Sequence, residues 1–239
     1  MKRIFLFFAT LWLGIIGARA QGYHYDVNND SEVNINDVVA LVNNILGKLN
    51  PDEVPVGEAV DLGLPSGTKW ASCNVGATKP EEYGGYYAWG ETEEKEDYIW
   101  STYIHCNGSR ETCHDLGTDI SGTEYDVAHH EWGGKWVMPT EVDFLELIDN
   151  CTSEWTTING VKGRKYTSKI NGNSIFLPAA GYRMTGEFNS IGSYGYYWSS
   201  TLLPSNSYSA YHLYFRPGNA YWNNDGRYYG QSVRPVYKN

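Results

Sequence analysis

Residues 194–237 read YGYYWSSTLLPSNSYSAYHLYFRPGNAYWNNDGRYYGQSVRPVY, and ten of the chain's twenty Tyr lie from Tyr194 onward. Side chains alternate across a strand, so in AYHLYF and the Arg after it Tyr211, Leu213 and Phe215 share one face while His212, Tyr214 and Arg216 share the other. This period of two, in a stretch rich in Gly, Tyr and Trp, predicts short strands joined by long ordered loops. Two upstream signals make the sheet antiparallel: Asn159-Gly160 between EWTTI and VKGRKY, and Asn171-Gly172 between YTSKI and NSIFLP, each suited to a type I′ turn. One main helix is expected in MPTEVDFLELIDNC, where Pro139 and the N-cap Thr140 precede Asp143, and Phe144, Leu147 and Ile148 fall on one face. Residues 59–239 therefore read as an α+β domain.

The first 58 residues have a different character. Lys2 and Arg3 precede an apolar run from Ile4 to Ile16, and Ala18-Arg19-Ala20 offers small residues for cleavage before Gln21, so residues 1–20 read as a signal peptide. The run is shorter than the roughly 20 residues a membrane-spanning helix needs, so no membrane span is expected in the mature protein. Its expected address is the exterior, the cell surface or the periplasm. Residues 51–58, with Pro51 and Pro55 and almost no apolar pattern, read as a linker.

Between these lies DVNNDSEVNINDVV, residues 26–39, whose oxygen donors recur at the spacing of an EF-hand loop. Asp26, Asn28 and Asp30 supply side-chain oxygens at the first, third and fifth positions, Glu32 a carbonyl at the seventh, Asn34 the ninth and Asp37 a carboxylate at the twelfth. Ca2+ is the expected cofactor of residues 21–50. Val38, Leu41, Val42, Ile45 and Leu46 then form one face of a following helix that Gly47 ends. The other reading of the loop is a polar turn capping that helix.

The net charge of −10 becomes −13 once Lys2, Arg3 and Arg19 leave, and this argues against a nucleic-acid partner, whose phosphates need clustered Lys and Arg. Four Cys in an exported chain favour disulfides, with Cys106–Cys113 and Cys73–Cys151 the preferred pairing of the three possible. His105-Cys106 and Cys113-His114 also offer zinc ligands, although adjacent residues in an extended chain point opposite ways.

No catalytic residues are assigned. After Glu154 the only carboxylates are Glu187 and Asp225, no Gly-x-Ser-x-Gly turn occurs, and Glu91–Asp97 reads as a solvated charge run. An enzyme would need Glu131, Glu141 or Glu187 to converge on a pocket His.

VDLGLPSGTKWASCNVGA, YYAWGE, WGGKWVMPTEVDFLELI, FLPAAGYR, GYYWSS and SVRPV, in that order from Val60 to Val236, resemble the Fibrobacter major paralogous domain, which is similar to the formylglycine-generating-enzyme branch of the C-type lectin fold. The resemblance implies a C-type-lectin-like domain whose loop-rich C-terminal surface meets ligands. That branch's enzymes use Cys in the C-terminal half, whereas none follows Cys151 here, so their oxidase activity does not transfer. The terminal stretch also resembles the variable region of retroelement-diversified proteins, which implies a ligand-binding set of His212, Tyr214, Arg216, Tyr221, Asn223, Asp225 and Tyr228. Trp222 joins them as an indole suited to stacking on a sugar ring. The alternative is an ordinary polar sheet face. Residues 21–50 resemble one type I dockerin repeat, with Ser31 where Gly is usual, and this implies a cohesin-like partner. The expected function is non-enzymatic recognition of a cell-surface glycan or protein; the alternative is a dockerin-bearing component of a polysaccharide-binding or polysaccharide-degrading system.

Overall fold

The computed structural model describes residues 57–238, all within the unit Val54–Asn239. The expected signal peptide, the expected calcium loop with Asp26, Asn28, Asp30, Glu32, Asn34 and Asp37, and most of the expected linker lie outside the described residues. Mostly small antiparallel sheets, with few helices, build what is described. In chain order the elements are β1 (Ala59–Val60), β2 (Lys69–Ala71), α1 (Val127–Trp132), β3 (Trp136–Val137), α2 (Glu141–Asn150), β4 (Cys151–Ile158), β5 (Val161–Ser168), β6 (Ser174–Pro178), β7 (Tyr182–Met184), β8 (Glu187–Asn189), β9 (Gly195–Leu202), β10 (Ser209–Arg216), β11 (Asn219–Gly226) and β12 (Val236–Tyr237). They pair as β1-β2-β12-β3, β4-β5-β6, β7-β8 and β11-β10-β9.

Helix α2 starts where its sequence says. Thr140 N donates to Asp143 Oδ2 at 2.8 Å and Asp143 N donates to Thr140 Oγ1 at 3.3 Å, which satisfies two amide groups that the first turn would leave unpaired. Phe144 and Leu147 are fully buried against Trp70, Tyr166, Tyr197, Leu213 and Phe215 in the largest cluster of the core. Lys238 closes on Asp143 from the chain's end.

The first hairpin forms as read, since Ile158 pairs with Val161 and both Asn159 (φ 48) and Gly160 (φ 84) take the left-handed backbone that a type I′ turn requires. The second does not. β5 and β6 are joined by five residues, 169–173, of which only Gly172 has positive φ. The loop opens because it serves as a clamp: Asn171 Nδ2 and Asn173 Nδ2 both donate to the Asp61 carbonyl, at 2.9 and 2.8 Å.

Several resemblance motifs turn out to be structural fasteners. Trp89 Nε1 donates to the Ser199 carbonyl and Trp198 Nε1 to the Tyr87 carbonyl, each at 2.9 Å, so YYAWGE and GYYWSS bind each other reciprocally. Arg234 of SVRPV is fully buried and donates to Asn74 Oδ1, the Ala71 carbonyl and the Phe176 carbonyl at 2.8–2.9 Å. Burial lowers its pKa to about 10, and the three acceptors keep the guanidinium hydrogen-bonded without a carboxylate.

Two expectations are corrected. Cys106 and Cys113 are bridged, but Cys73 and Cys151 are free and buried. Cys73 lies with Ala77, Trp132 and Trp136, its Sγ donating to the Ala77 carbonyl at 3.2 Å, whereas Cys151 belongs to the cluster under α2. Separate cores hold them, so the pairing fails on geometry. Glu91, taken for part of a solvated run, is also buried: it accepts from Lys95 Nζ at 2.7–2.8 Å and from Ile104 N at 3.0 Å.

Candidate functional site

The sheet β11-β10-β9 carries the predicted alternation. Tyr197, Leu213 and Phe215 face the core, with Ala220 and Trp222 against them. Trp222 is therefore not a free stacking indole. It pairs across the sheet with Leu213, stacks on Tyr211 at 5.7 Å, meets Phe144 at 5.8 Å, and donates its indole N–H to Glu141.

The opposite face places His212 against Asn223, Tyr214 against Tyr221 and Arg216 against Asn219, with Tyr196 and Trp198 on β9 alongside. The predicted residues do share a face, but only part of it is open. His212 is 0 % exposed and Tyr214 8 %, because Trp198 and Ala210 at that end belong to a second core with Tyr87, Trp89 and Val233. Arg216, Asn219 and Asn223 are exposed, and Tyr221 is 41 % exposed. His212 and Tyr214 are corrected from surface contacts to supports.

A continuous run of rings borders the open end. Tyr221 meets Tyr214 at 4.8 Å, Tyr214 meets Tyr194 at 5.6 Å and Tyr196 at 5.1 Å, Tyr196 meets Tyr182 at 4.9 Å, and Tyr182 meets Tyr229 at 5.6 Å. Tyr229 then stacks on Tyr228 at 4.4 Å, and Tyr228 meets Trp100 at 4.5 Å. Tyr228 is thus held between two rings. Tyr182, Tyr194, Tyr196, Tyr229 and Trp100 were absent from the sequence reading. Period-two alternation in GYYWSS could have pointed to Tyr196. Tyr182 arrives through the bridges Gly181–Gly195 and Arg183–Gly230, which no local pattern announces. Gly230 must lack a side chain there, since a Cβ would stand 2.6 Å from the Tyr98 ring.

Asp225 pairs with Ala210 across the sheet, next along this face from the His212–Asn223 pair. It accepts from Gln231 Nε2 at 2.9 Å, and its Oδ2 is 3.7 Å from His212 Nδ1, too far for a hydrogen bond. The pair has the spacing of an ion bridge, yet burial drives both toward neutrality: the carboxyl is pushed up to about 7 and the imidazole down to about 3. Neither ring nitrogen of His212, nor Gln231 Oε1, has a hydrogen-bond partner among the described residues.

The other candidates stay apart. Cys106 and Cys113 are consumed by their disulfide, His105 Nε2 lies 2.8 Å from the Gly90 carbonyl, and among the described residues no group of three or more His, Cys, Asp or Glu is placed to share a metal ion. His129 and His130 stand on α1. Glu131 pairs with His130 on the surface at 3.0 Å, Glu141 holds Trp222, and Glu187 is exposed on β8. A cleft of about 220 Å³ beside β1 and β6 is lined by apolar groups including Val60, Pro80, Ile158 and Phe176, with Lys165 its one charged residue.

Residues 112–236 match the family described as Domain of unknown function (DUF8237), a span from the second disulfide Cys's neighbour to β12 that holds the whole β11-β10-β9 sheet. No curated protein and no solved structure matches the chain. The matched span covers more than half of the 239 residues, and the chain therefore belongs to the DUF8237 family.

Proposed function

We propose that the chain is an exported, non-enzymatic recognition protein whose residues 59–239 form a C-type-lectin-like domain, and that a cell-surface protein or glycan docks on the open end of the β11-β10-β9 face. The observation that carries this reading is Tyr221, a ring that is 41 % exposed yet fixed from behind by Tyr214. Tyr offers large contact area with few rotamers to freeze, and the exposed Asn219, Asn223 and Arg216 around it supply adaptable hydrogen bonds. The full-length secreted chain should capture ligands on an array of glycans and surface proteins, and Tyr221→Ala should weaken those spots at least about tenfold, the effect of removing an interface anchor. Equal signals from the two proteins would place recognition elsewhere.

A second reading, a dockerin-bearing component of a polysaccharide system, is supported by the donor spacing from Asp26 to Asp37. Calcium titration calorimetry on the full chain should show a binding heat that Asp26→Ala abolishes. Equal heats would reduce the loop to a turn.

A further inference from the structure

We propose that Asp225, walled by Tyr182, Tyr196 and Tyr229, seats the ammonium or guanidinium group of a Lys or Arg side chain presented by a protein ligand, an inference that rests on the recognition reading above. Asp225 keeps 30 % of its side chain exposed, so it can be reached from solvent. The Tyr196 ring meets the His212 ring at 5.5 Å, and Tyr182 links Tyr196 to Tyr229, so the three rings border the His212–Asp225 pair. Among the described residues no Lys or Arg pairs with it; the groups against it are Gln231 and His212. Aromatic faces attract a cation through their negative quadrupole, and a carboxylate at the base supplies the counter-charge.

The hydrogen-bonding balance selects the kind of cation. Gln231 Oε1 and both ring nitrogens of His212 are buried and unpartnered, and His212 Nδ1 stands 3.7 Å from Asp225 Oδ2. The Asp225 carboxylate is the acceptor a ligand can reach, so a group rich in N–H donors suits it better than a quaternary ammonium, which offers none. Among the described residues the Asp225 carboxylate has no cation of its own, so a basic protein segment complements it where a neutral glycan, which carries no cation, does not.

The probes are N-acetyl-arginine amide and N-acetyl-lysine amide, against N-acetyl-citrulline amide, which keeps the shape of the arginine probe without its charge, and glucosamine, which carries an ammonium on a sugar. On the full chain the two basic amides should shift the ring resonances of Tyr182, Tyr196 and Tyr229 in NMR titrations at pH 6. Binding should release close to one proton, because the cation draws Asp225 into its ionised form. Citrulline amide should do neither, and Asp225→Asn should lose at least about tenfold in affinity together with the proton release; Tyr182→Leu, which strips a wall without touching the carboxylate, should weaken binding as well. Equal binding of the citrulline and arginine probes, unchanged binding by Asp225→Asn, or binding of glucosamine alone overturns the proposal. If array ligands lose affinity with Tyr221→Ala but not with Asp225→Asn, the recognition surface stands and the cation seat falls.

Discussion

The two ends of one sheet face teach more than either alone. His212, Tyr214 and Arg216 follow one another on the same side of β10, and exposure climbs from 0 % at His212 through 8 % at Tyr214 to an exposed Arg216. One end is a scaffold, covered by Trp89 and Tyr87; the other presents Tyr221 and its polar neighbours. Rigidity at the covered end is what lets the open end hold a ring in place at low entropic cost.

The sharpest way to break this contrast is to remove a large side chain from the covered end. Trp198→Ala should cost about 3–5 kcal/mol, the range for truncating a fully buried aromatic, and it also removes the indole's bond to the Tyr87 carbonyl, which keeps its bond from Gln231 N. Urea denaturation would read this as a drop in midpoint at unchanged slope.

An intermediate effect is expected at the covered end itself, where Asp225 pairs with Ala210. The folded Asp225 carboxyl titrates near 7 rather than its ordinary 3.8, so its share of stability is full below about 4 and is lost as pH rises to about 7. His212 runs the other way: held near 3 instead of 6.5, it favours the fold above about 6.5 and loses that contribution as pH falls toward 3. The two slopes oppose each other between about pH 4 and 6.5, which flattens the wild-type profile there. Asp225→Asn leaves the His212 slope alone, so its melting temperature should gain on wild type from pH 4 to 7 and run parallel above. Parallel profiles throughout would show that the carboxyl is not held neutral.

Much of this organisation was legible in the sequence, for local reasons. The Thr140–Asp143 capping box, the Asn159-Gly160 turn and the alternation of β10 each depend on neighbouring residues, and each formed as read. What was not legible depends on distant chain. Nothing near His212 announces that Trp198 and the Tyr87–Trp89 segment will cover it, and nothing near Tyr182 places it beside Tyr196 and Tyr229. Cys73 and Cys151 failed for the same reason: an even count of thiols says nothing about which core each joins.

The smallest structural effect is expected at the open end. Arg216→Ala removes an exposed side chain whose bond is to Asn219 Oδ1 at the start of β11, and stability should change by no more than about 0.5 kcal/mol. A larger loss would mean that this end also carries the fold.

The claim that recognition sits at the open end is tested most directly by measuring the affinity of one array-identified ligand for Tyr221→Ala and for a distant exposed control, Ile170→Ala, both checked for wild-type melting. The account predicts a loss of at least about tenfold for Tyr221→Ala and none for the control. Unchanged affinity for a folded Tyr221→Ala protein would contradict it.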